Sequence, residues 1–249
     1  MPETAELAAL LLNARATRQP LHADPDGGPR DTTQAYAVQR TVWTRLAGEQ
    51  PPSAWKLGAS SRQAEPSVAA ILPERTARSI ARFPAGMFHM LGIEAEIAIR
   101  FGRDLPARAT PYPHDEILDA IASLHVAMEL VDTRLADSEA AGPLWRLADS
   151  LLNGALVIGD AIPDWHKLDL SGLTVRVLAD GACLAETVGR PPLDDLFFCL
   201  PWWLAHNPGT RAGDIVTTGA WNGMHPIPAA RQASVEFVGL GQVDICIGD

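Results

Sequence analysis

The sequence predicts an α+β fold: helices come first, and a mixed, mostly antiparallel β-rich core follows them. Three observations carry this. Two helix-periodic stretches fall within the first 50 residues, alternating apolar segments crowd after residue 90, and few crossover helices separate them, as a doubly wound parallel sheet would require. The 249 residues suffice for one large domain with a sizeable core, and 47% hydrophobic with 20% charged residues is a folding composition. We expect a single catalytic domain over 1–249, with 1–50 a helical segment and about 85–249 a β-rich metal-binding core.

The elements follow in order. Residues 3–18 place Leu7, Leu10, Leu11 and Ala14 at helical spacing, and the Gly/Pro-rich stretch 20–30 ends that helix. Asp31 and Thr32 offer cap oxygens to a second helix, reaching about residue 48, on which Tyr36, Val38, Val42 and Leu46 recur toward one side. WKLGAS (55–60) reads as a short strand and the Pro-bounded segment 66–84 as irregular. GIEAEIAIR (92–100) alternates strictly, with Ile93, Ala95, Ile97 and Ile99 on one face and Glu94, Glu96, Ala98 and Arg100 on the other. A short helix (114–122) and strands at 124–132 and 155–160 follow. Asp180-Gly181 between two alternating runs signals a hairpin over 173–187. An aromatic-rich helix is expected at 192–206, and strands at 214–219 and 233–237.

Composition also excludes function classes. Thirty acidic against twenty basic residues give a net charge of -10, which repels a phosphate backbone or an anionic lipid surface, so neither nucleic acid nor membrane is an expected partner. The longest apolar runs, such as 196–205, fall short of the roughly 20 residues of a membrane helix. The stretch 7–12 follows Glu3 and Glu6 rather than a basic segment, unlike a signal peptide, and a cytoplasmic location is expected. Cys183, Cys199 and Cys246 are odd in number, widely spaced and read as reduced thiols. Lysine occurs twice, at Lys56 and Lys167.

Glu94 and Glu96, two apart in a strand, point the same way, and two like charges at one place need a neutralising cation or a shared proton. Glu129 sits in AMELVD between Met128 and Leu130, where an unpaired carboxylate is costly. Three carboxylates with no His or Cys pattern favour a hard divalent ion, Mg²⁺ or Mn²⁺, over zinc. The competing readings are a water-facing Glu94/Glu96 pair and an ion pair of Glu129 with Arg134 or Arg146.

The segments AYAVQ (35–39), WKLGASS (55–61), GIEAEIAIRFGRDL (92–105), AMELVDTR (127–134), LADSLLNGALVIG (147–159), PL followed by WLAHN (192–207) and AGDIVTTG (212–219) stand in an order and spacing that resembles the fumarylacetoacetate hydrolase superfamily. The closer likeness is to its branch of 2-keto-4-pentenoate hydratases and 4-oxalocrotonate decarboxylases. The resemblance implies a β-roll core. It implies that Glu94, Glu96 and Glu129 bind the metal, that Lys56 is the acid or base with Asp149 second, and that Ser60, Ser61, Asn153, Thr218 and Gly219 contact substrate. Ser150 stands where the family usually has Asn, Ala220 replaces a common hydroxyl residue, and AARQ (229–232) replaces a Gly-Asp turn. The His–Glu dyad of the superfamily's C–C hydrolases has no clear counterpart; His89 and His125 are the nearest candidates.

The expected activity is a metal-dependent lyase hydrating a small 2-oxo acid such as 2-hydroxypenta-2,4-dienoate from aromatic catabolism. The alternatives are a decarboxylase of the 4-oxalocrotonate type, an acylpyruvate C–C hydrolase, or a non-catalytic metal-binding homologue. The crowd of Phe197, Phe198, Trp202 and Trp203 and the family likeness together suggest a homo-oligomer.

Overall fold

The computed structural model describes residues 2–248. Its helices are α1 (Thr4–Thr17), α2 (Thr32–Ala47), α3 (His114–Leu118), α4 (Ser138–Ala141), α5 (Pro143–Ala148) and α6 (Leu200–His206). The strands are β1 (Ala54–Gly58), β2 (Ser67–Ala70), β3 (Thr76–Arg78), β4 (Ala81–Phe83), β5 (Gly92–Phe101), β6 (Leu105–Pro106), β7 (Ile121–Val131), β8 (Asn153–Ile162), β9 (Leu173–Ala179), β10 (Ala182–Gly189), β11 (Gly209–Thr210), β12 (Ile215–Thr217), β13 (Met224–Pro226), β14 (Gln232–Phe237) and β15 (Gly241–Ile247). This is the α+β arrangement expected, helices first and then mixed, mainly antiparallel sheets.

Asp31 caps α2 by accepting from the Gln34 N–H at 2.7 Å, and Glu3 and Glu6 close a reciprocal cap on α1. Leu7, Ala8 and Leu11 of α1 meet Ala35, Val38 and Val42 of α2, and both helices rest on Trp145 and Leu147 of α5. Leu10 and Leu46, counted in the apolar stripes by spacing, face outward instead.

The larger sheet runs β2-β1-β12-β5-β7-β8-β3, with β13 also on β5; the smaller runs β10-β9-β14-β15-β4. The face carrying Ile93, Ala95, Ile97 and Ile99 packs against Val175, Val177, Val235, Phe237 and Val243 of the smaller sheet, which makes the main core. The opposite face is buried as well: Ala98 lies with Ala54, Ile71, Ala127, Leu156 and Ile158. Glu94 and Glu96 therefore do not stand on a water-facing surface. The Asp180-Gly181 turn is as expected, with φ of 47° and 81°, both residues of the tight hairpin being left-handed.

Three expectations differ from the structure. Segment 66–84 is not irregular: β2 pairs with β1, β3 lies parallel to β8, and β4 lies parallel to β15. Strands of three or four residues whose partners lie far away in sequence leave little periodicity to read. The strand beginning at Ile121 takes the end of the helix expected over 114–122, which stops at Leu118. The aromatic helix is shorter than 192–206, because Leu193 and Asp194 adopt left-handed φ of 60° and 58° and the chain restarts helically at Leu200-Pro201. β15, not anticipated, buries Val243 and Ile245. Trp203 of α6 is fully buried against Trp55 and Phe101, so the chain itself covers much of the aromatic surface that had suggested a second copy.

Candidate metal centre

Strand register assembles the site. Glu94 of β5 stands directly opposite Glu129 of β7, and Glu96 lies two residues along β5. Like charges facing each other across a ladder are unfavourable, and both Glu96 and Glu129 are fully buried. β1 reaches the same face through β12, pairing Lys56 with Thr217, which in turn pairs with Ala98. The Lys56 ammonium donates to Glu129 Oε1 at 2.8 Å and lies 3.6 Å from Glu94 Oε2.

Each buried carboxylate has one oxygen held and one left over. Glu96 Oε2 accepts from the backbone N–H groups of Thr218 and Gly219 at 3.1 and 3.0 Å, where β12 ends. Glu129 Oε1 accepts from Lys56 and from the Asn153 amide at 3.1 Å. Glu96 Oε1 and Glu129 Oε2 are buried without any partner among the described residues. Oxygens from Glu94, Glu96 and Glu129 lie within 4.8 Å of one another. Buried orphan carboxylate oxygens are costly, and three hard oxygen donors at that spacing suit a divalent cation. The site thus fits the ion that the acidic cluster implied.

Electrostatics point the same way. Burial, then Glu129 and Glu94, push the Glu96 carboxyl up to about 8 against the opposing pull of Lys56 and the Gly219 N–H. Burial also raises Glu129, although Lys56 counters it. For Lys56, burial would lower the ammonium, but Glu129, Glu94 and Glu96 together outweigh it and hold it above its ordinary value. The lysine is therefore charged in the ion-free protein. The side chains of Lys56 and Glu94 remain 18% and 17% exposed while Glu129 is sealed, so the cluster opens to solvent on the Lys56–Glu94 side.

The structure brings Lys56, Glu94, Glu96, Glu129, Asn153, Thr218 and Gly219 together. It does so with the last three anchoring carboxylates: Thr218 spends its hydroxyl on the Ile97 carbonyl. Ser60 is exposed, and Ser61 Oγ accepts from the Gln63 and Ala64 N–H groups in a turn after β1. Asp149 is not free to move protons. One of its oxygens accepts from the Thr133 hydroxyl at 2.8 Å and the Arg134 N–H at 3.0 Å, and the other is held by the Arg134 guanidinium. Glu129 is thus not the partner of Arg134, and Arg146 pairs with Glu139. His125 is buried between Ser123 and the Gly159 carbonyl, and His89 is exposed.

Sequence offered Arg134 only as a partner for Glu129; it instead holds Asp149 and the turn that carries Asn153 to the site. Ser150, Leu151 and Leu152 have φ of 55°, 54° and 61°, a left-handed turn that costs L-residues roughly 1–2 kcal/mol each. Arg134 clamps both ends, donating to the Asp149 carbonyl at 2.7 Å and the Asn153 carbonyl at 3.0 Å. The clamp delivers Asn153 to Glu129. Replacing Arg134→Ala strands Asp149 as a buried, unpaired charge and should destabilise the protein by about 3–5 kcal/mol, read from urea unfolding; an unchanged midpoint would remove the clamp. The sequence signal was present, since DTR and ADS lie in two of the segments quoted above, but nothing local pairs them.

Residues 52–247 match the family model described as fumarylacetoacetate (FAA) hydrolase C-terminal. The chain is 28% identical over 264 residues to a 2-keto-4-pentenoate hydratase of Paraburkholderia phymatum, covering 95% of this chain and 94% of that protein. It is 28% identical over 265 residues to one of Burkholderia vietnamiensis, with 96% and 95% covered. In fold it resembles 4-oxalocrotonate decarboxylase from Pseudomonas putida G7 complexed with magnesium and adipate, at a TM-score of 0.80 over 99% of both chains and 19% identity. A further structure, 2-hydroxyhepta-2,4-diene-1,7-dioate isomerase from Mycobacterium marinum, matches at a TM-score of 0.60 and 18% identity over 79% of this chain and 75% of that one. No helix among the described residues is long and apolar enough to cross a membrane. The strand-borne carboxylates and the family match over most of the chain agree, and the protein belongs to the fumarylacetoacetate hydrolase family.

Proposed function

We propose that this enzyme is a divalent-metal-dependent hydratase that adds water to a small 2-hydroxydienoate, with 2-hydroxypenta-2,4-dienoate as the reference substrate and Glu94, Glu96 and Glu129 as ligands of Mg²⁺ or Mn²⁺. The observation that carries it is the pair of orphaned buried oxygens, Glu96 Oε1 and Glu129 Oε2, beside a charged lysine. The hydratase names of the relatives and the magnesium in the decarboxylase structure support the same reading.

When bound, the cation would supply Lewis-acid polarisation of a 2-oxo acid. The chain's own residues do the rest. Ketonisation of the dienol releases the O2 proton to solvent and places one on C5; conjugate addition of one water then puts its hydroxyl on C4 and its proton on C3. Lys56 holds a proton at Nζ on the open side of the cluster and is the proposed donor. Asn153 and the Thr218 and Gly219 N–H groups keep Glu129 and Glu96 from rotating as charge develops. Asp149 serves as a positioning residue through Arg134 rather than as a second base.

Purified protein with Mg²⁺ should consume 2-hydroxypenta-2,4-dienoate, followed by its ultraviolet absorbance, and a chelator should stop it. Turnover of 4-oxalocrotonate or of an acylpyruvate with the dienoate untouched would replace hydration by decarboxylation or C–C hydrolysis.

The raised Glu96 carboxyl makes metal binding pH-dependent. Its folded-state value, about 8, exceeds the ordinary 4.5, so proton binding favours the ion-free fold below 4.5 and that contribution is lost as pH rises through 8. A cation competes with the same proton. Mg²⁺ affinity should therefore rise between pH 6 and 8, with proton release visible by calorimetry in buffers of different ionisation enthalpy. Flat affinity with no proton release would mean that Glu96 is ionised before the ion arrives.

A further inference from the structure

A cavity of about 930 Å³ lies between the N-terminal helices and the β-rich part of the chain, and none of the three clustered carboxylates lines it. Its wall includes Arg15 of α1, Tyr36 of α2, Arg75 at the end of the turn before β3, and Ser150 and Asn153 of the clamped turn. Arg15 and Arg75 are half-buried, yet among the described residues neither guanidinium donates a hydrogen bond or lies close enough to a carboxylate to pair. Arg75 Nε is buried with no hydrogen-bond partner among the described residues, and its guanidinium rests over the Phe88 ring, 5.7 Å from the centroid.

The nearby acids do not relieve them. Asp149 is taken by Arg134, and Asp132 Oδ1 accepts from the His89 and Met90 N–H groups at 2.9 Å. Glu74 adjoins Arg75 in sequence and Glu65 lies on the cavity wall, but both are exposed. Tyr36 receives the Val68 N–H on its hydroxyl oxygen at 3.3 Å, which leaves the hydroxyl proton to give, and the Ser150 hydroxyl has no partner among the described residues. Burial first, then Arg134 and Arg75 outweighing Asp149, draw Arg15 down to about 10, still charged at neutral pH. Holding unpaired guanidinium groups beside a cavity, next to a third that is fully used, is unfavourable unless an anion completes them.

We propose that Arg15 and Arg75 form a carboxylate-binding site in this cavity, with the Tyr36 and Ser150 hydroxyls as additional donors. A planar carboxylate fits the forked guanidinium donors. It could come from either of two sources: the far end of a dicarboxylic 2-oxo acid, or a separate small carboxylate. Asn153 makes the first geometrically sensible, because it both lines the cavity and donates to Glu129. Binding itself stands without the activity proposed above; only the substrate arm of the test rests on that reading.

The test titrates the full chain, without metal, with sodium glutarate against sodium chloride of matched ionic strength, reading thermal unfolding and calorimetry. Glutarate should stabilise the wild type beyond chloride. Arg15→Gln and Arg75→Gln should each weaken glutarate binding about tenfold or more. Both variants should keep the Mg²⁺-induced rise in Tm, and Arg15→Gln without anion should unfold no lower than wild type, because a repelled charge has gone. If Arg15→Gln does not fold, Arg75→Gln decides. Equal glutarate affinity in wild type and Arg75→Gln, or no effect beyond chloride, would overturn the site. With substrate, a rise in KM for dicarboxylic but not monocarboxylic 2-oxo acids in Arg75→Gln, with glutarate competitive, assigns the far carboxylate; glutarate that binds without competing assigns a separate ligand. Failure of every 2-oxo acid to turn over would sink the hydratase reading while leaving the glutarate titration to stand.

Discussion

Lys56→Ala should lower turnover by about 10²- to 10⁴-fold, the range expected when a positioned acid is lost. Lys56→Arg should not restore it, since a planar guanidinium cannot place a proton where the compact ammonium on its four-carbon stem does. Metal affinity should hold or rise. Lys56 is not among the three oxygen ligands, and its charge, 2.8 Å from Glu129 and 3.6 Å from Glu94, competes with any cation entering the cluster. In the ion-free variant three carboxylates lose their only close counter-charge among the described residues, so its stability should fall most at high pH, where Glu96 and Glu129 ionise, and Mg²⁺ should recover more of it than in wild type. Near wild-type turnover in Lys56→Ala would reduce the lysine to an electrostatic spacer.

Glu129→Gln and Glu96→Gln should each cost more than the roughly 10- to 100-fold in metal affinity that losing an outer partner of a ligand costs, because here a ligand itself loses its charge. Activity at fixed Mg²⁺ should fall in step. The ion-free proteins should behave differently from each other. Glu96 is buried, pushed up by Glu129 and Glu94, and held only by two backbone N–H groups, so Glu96→Gln removes repulsion and should leave stability at or above wild type at pH 8. Glu129 carries the shorter Lys56 pair, so Glu129→Gln leaves that ammonium with Glu94 as its one close ion pair and should unfold earlier. Calorimetric titration of Mg²⁺ with thermal unfolding of the same samples reads both. Undiminished Mg²⁺ affinity in either variant would place the ion elsewhere.

Much of this was legible because short-range physics governs it. The 92–100 alternation put Glu94 and Glu96 on one face, and an acid between Met128 and Leu130 demanded a partner; the ladder then set Glu129 opposite Glu94. The hairpin at Asp180-Gly181 announced itself through residues that tolerate left-handed backbone. What stayed hidden depends on distant contacts. The three-residue strands β3 and β4 exist because β8 and β15 offer them parallel edges. The left-handed turn 150–152 has no glycine to signal it, since Arg134 from the preceding strand's end holds it by two carbonyls. For the same reason Asp149 read as a free acid: its partner lies 15 residues earlier, and only folding shows both of its oxygens occupied.

Glu94, Glu96 and Glu129 are expected to share one divalent ion. A crystal structure of the full chain grown with Mn²⁺, with diffraction recorded at the manganese absorption edge, tests it most directly. One anomalous peak is expected, bonded to Glu96 Oε1, Glu129 Oε2 and a Glu94 oxygen, with Lys56 displaced from Glu94 and still beside Glu129. An empty cluster in which Lys56 remains bridged to both carboxylates, or a manganese peak on other residues, would contradict it.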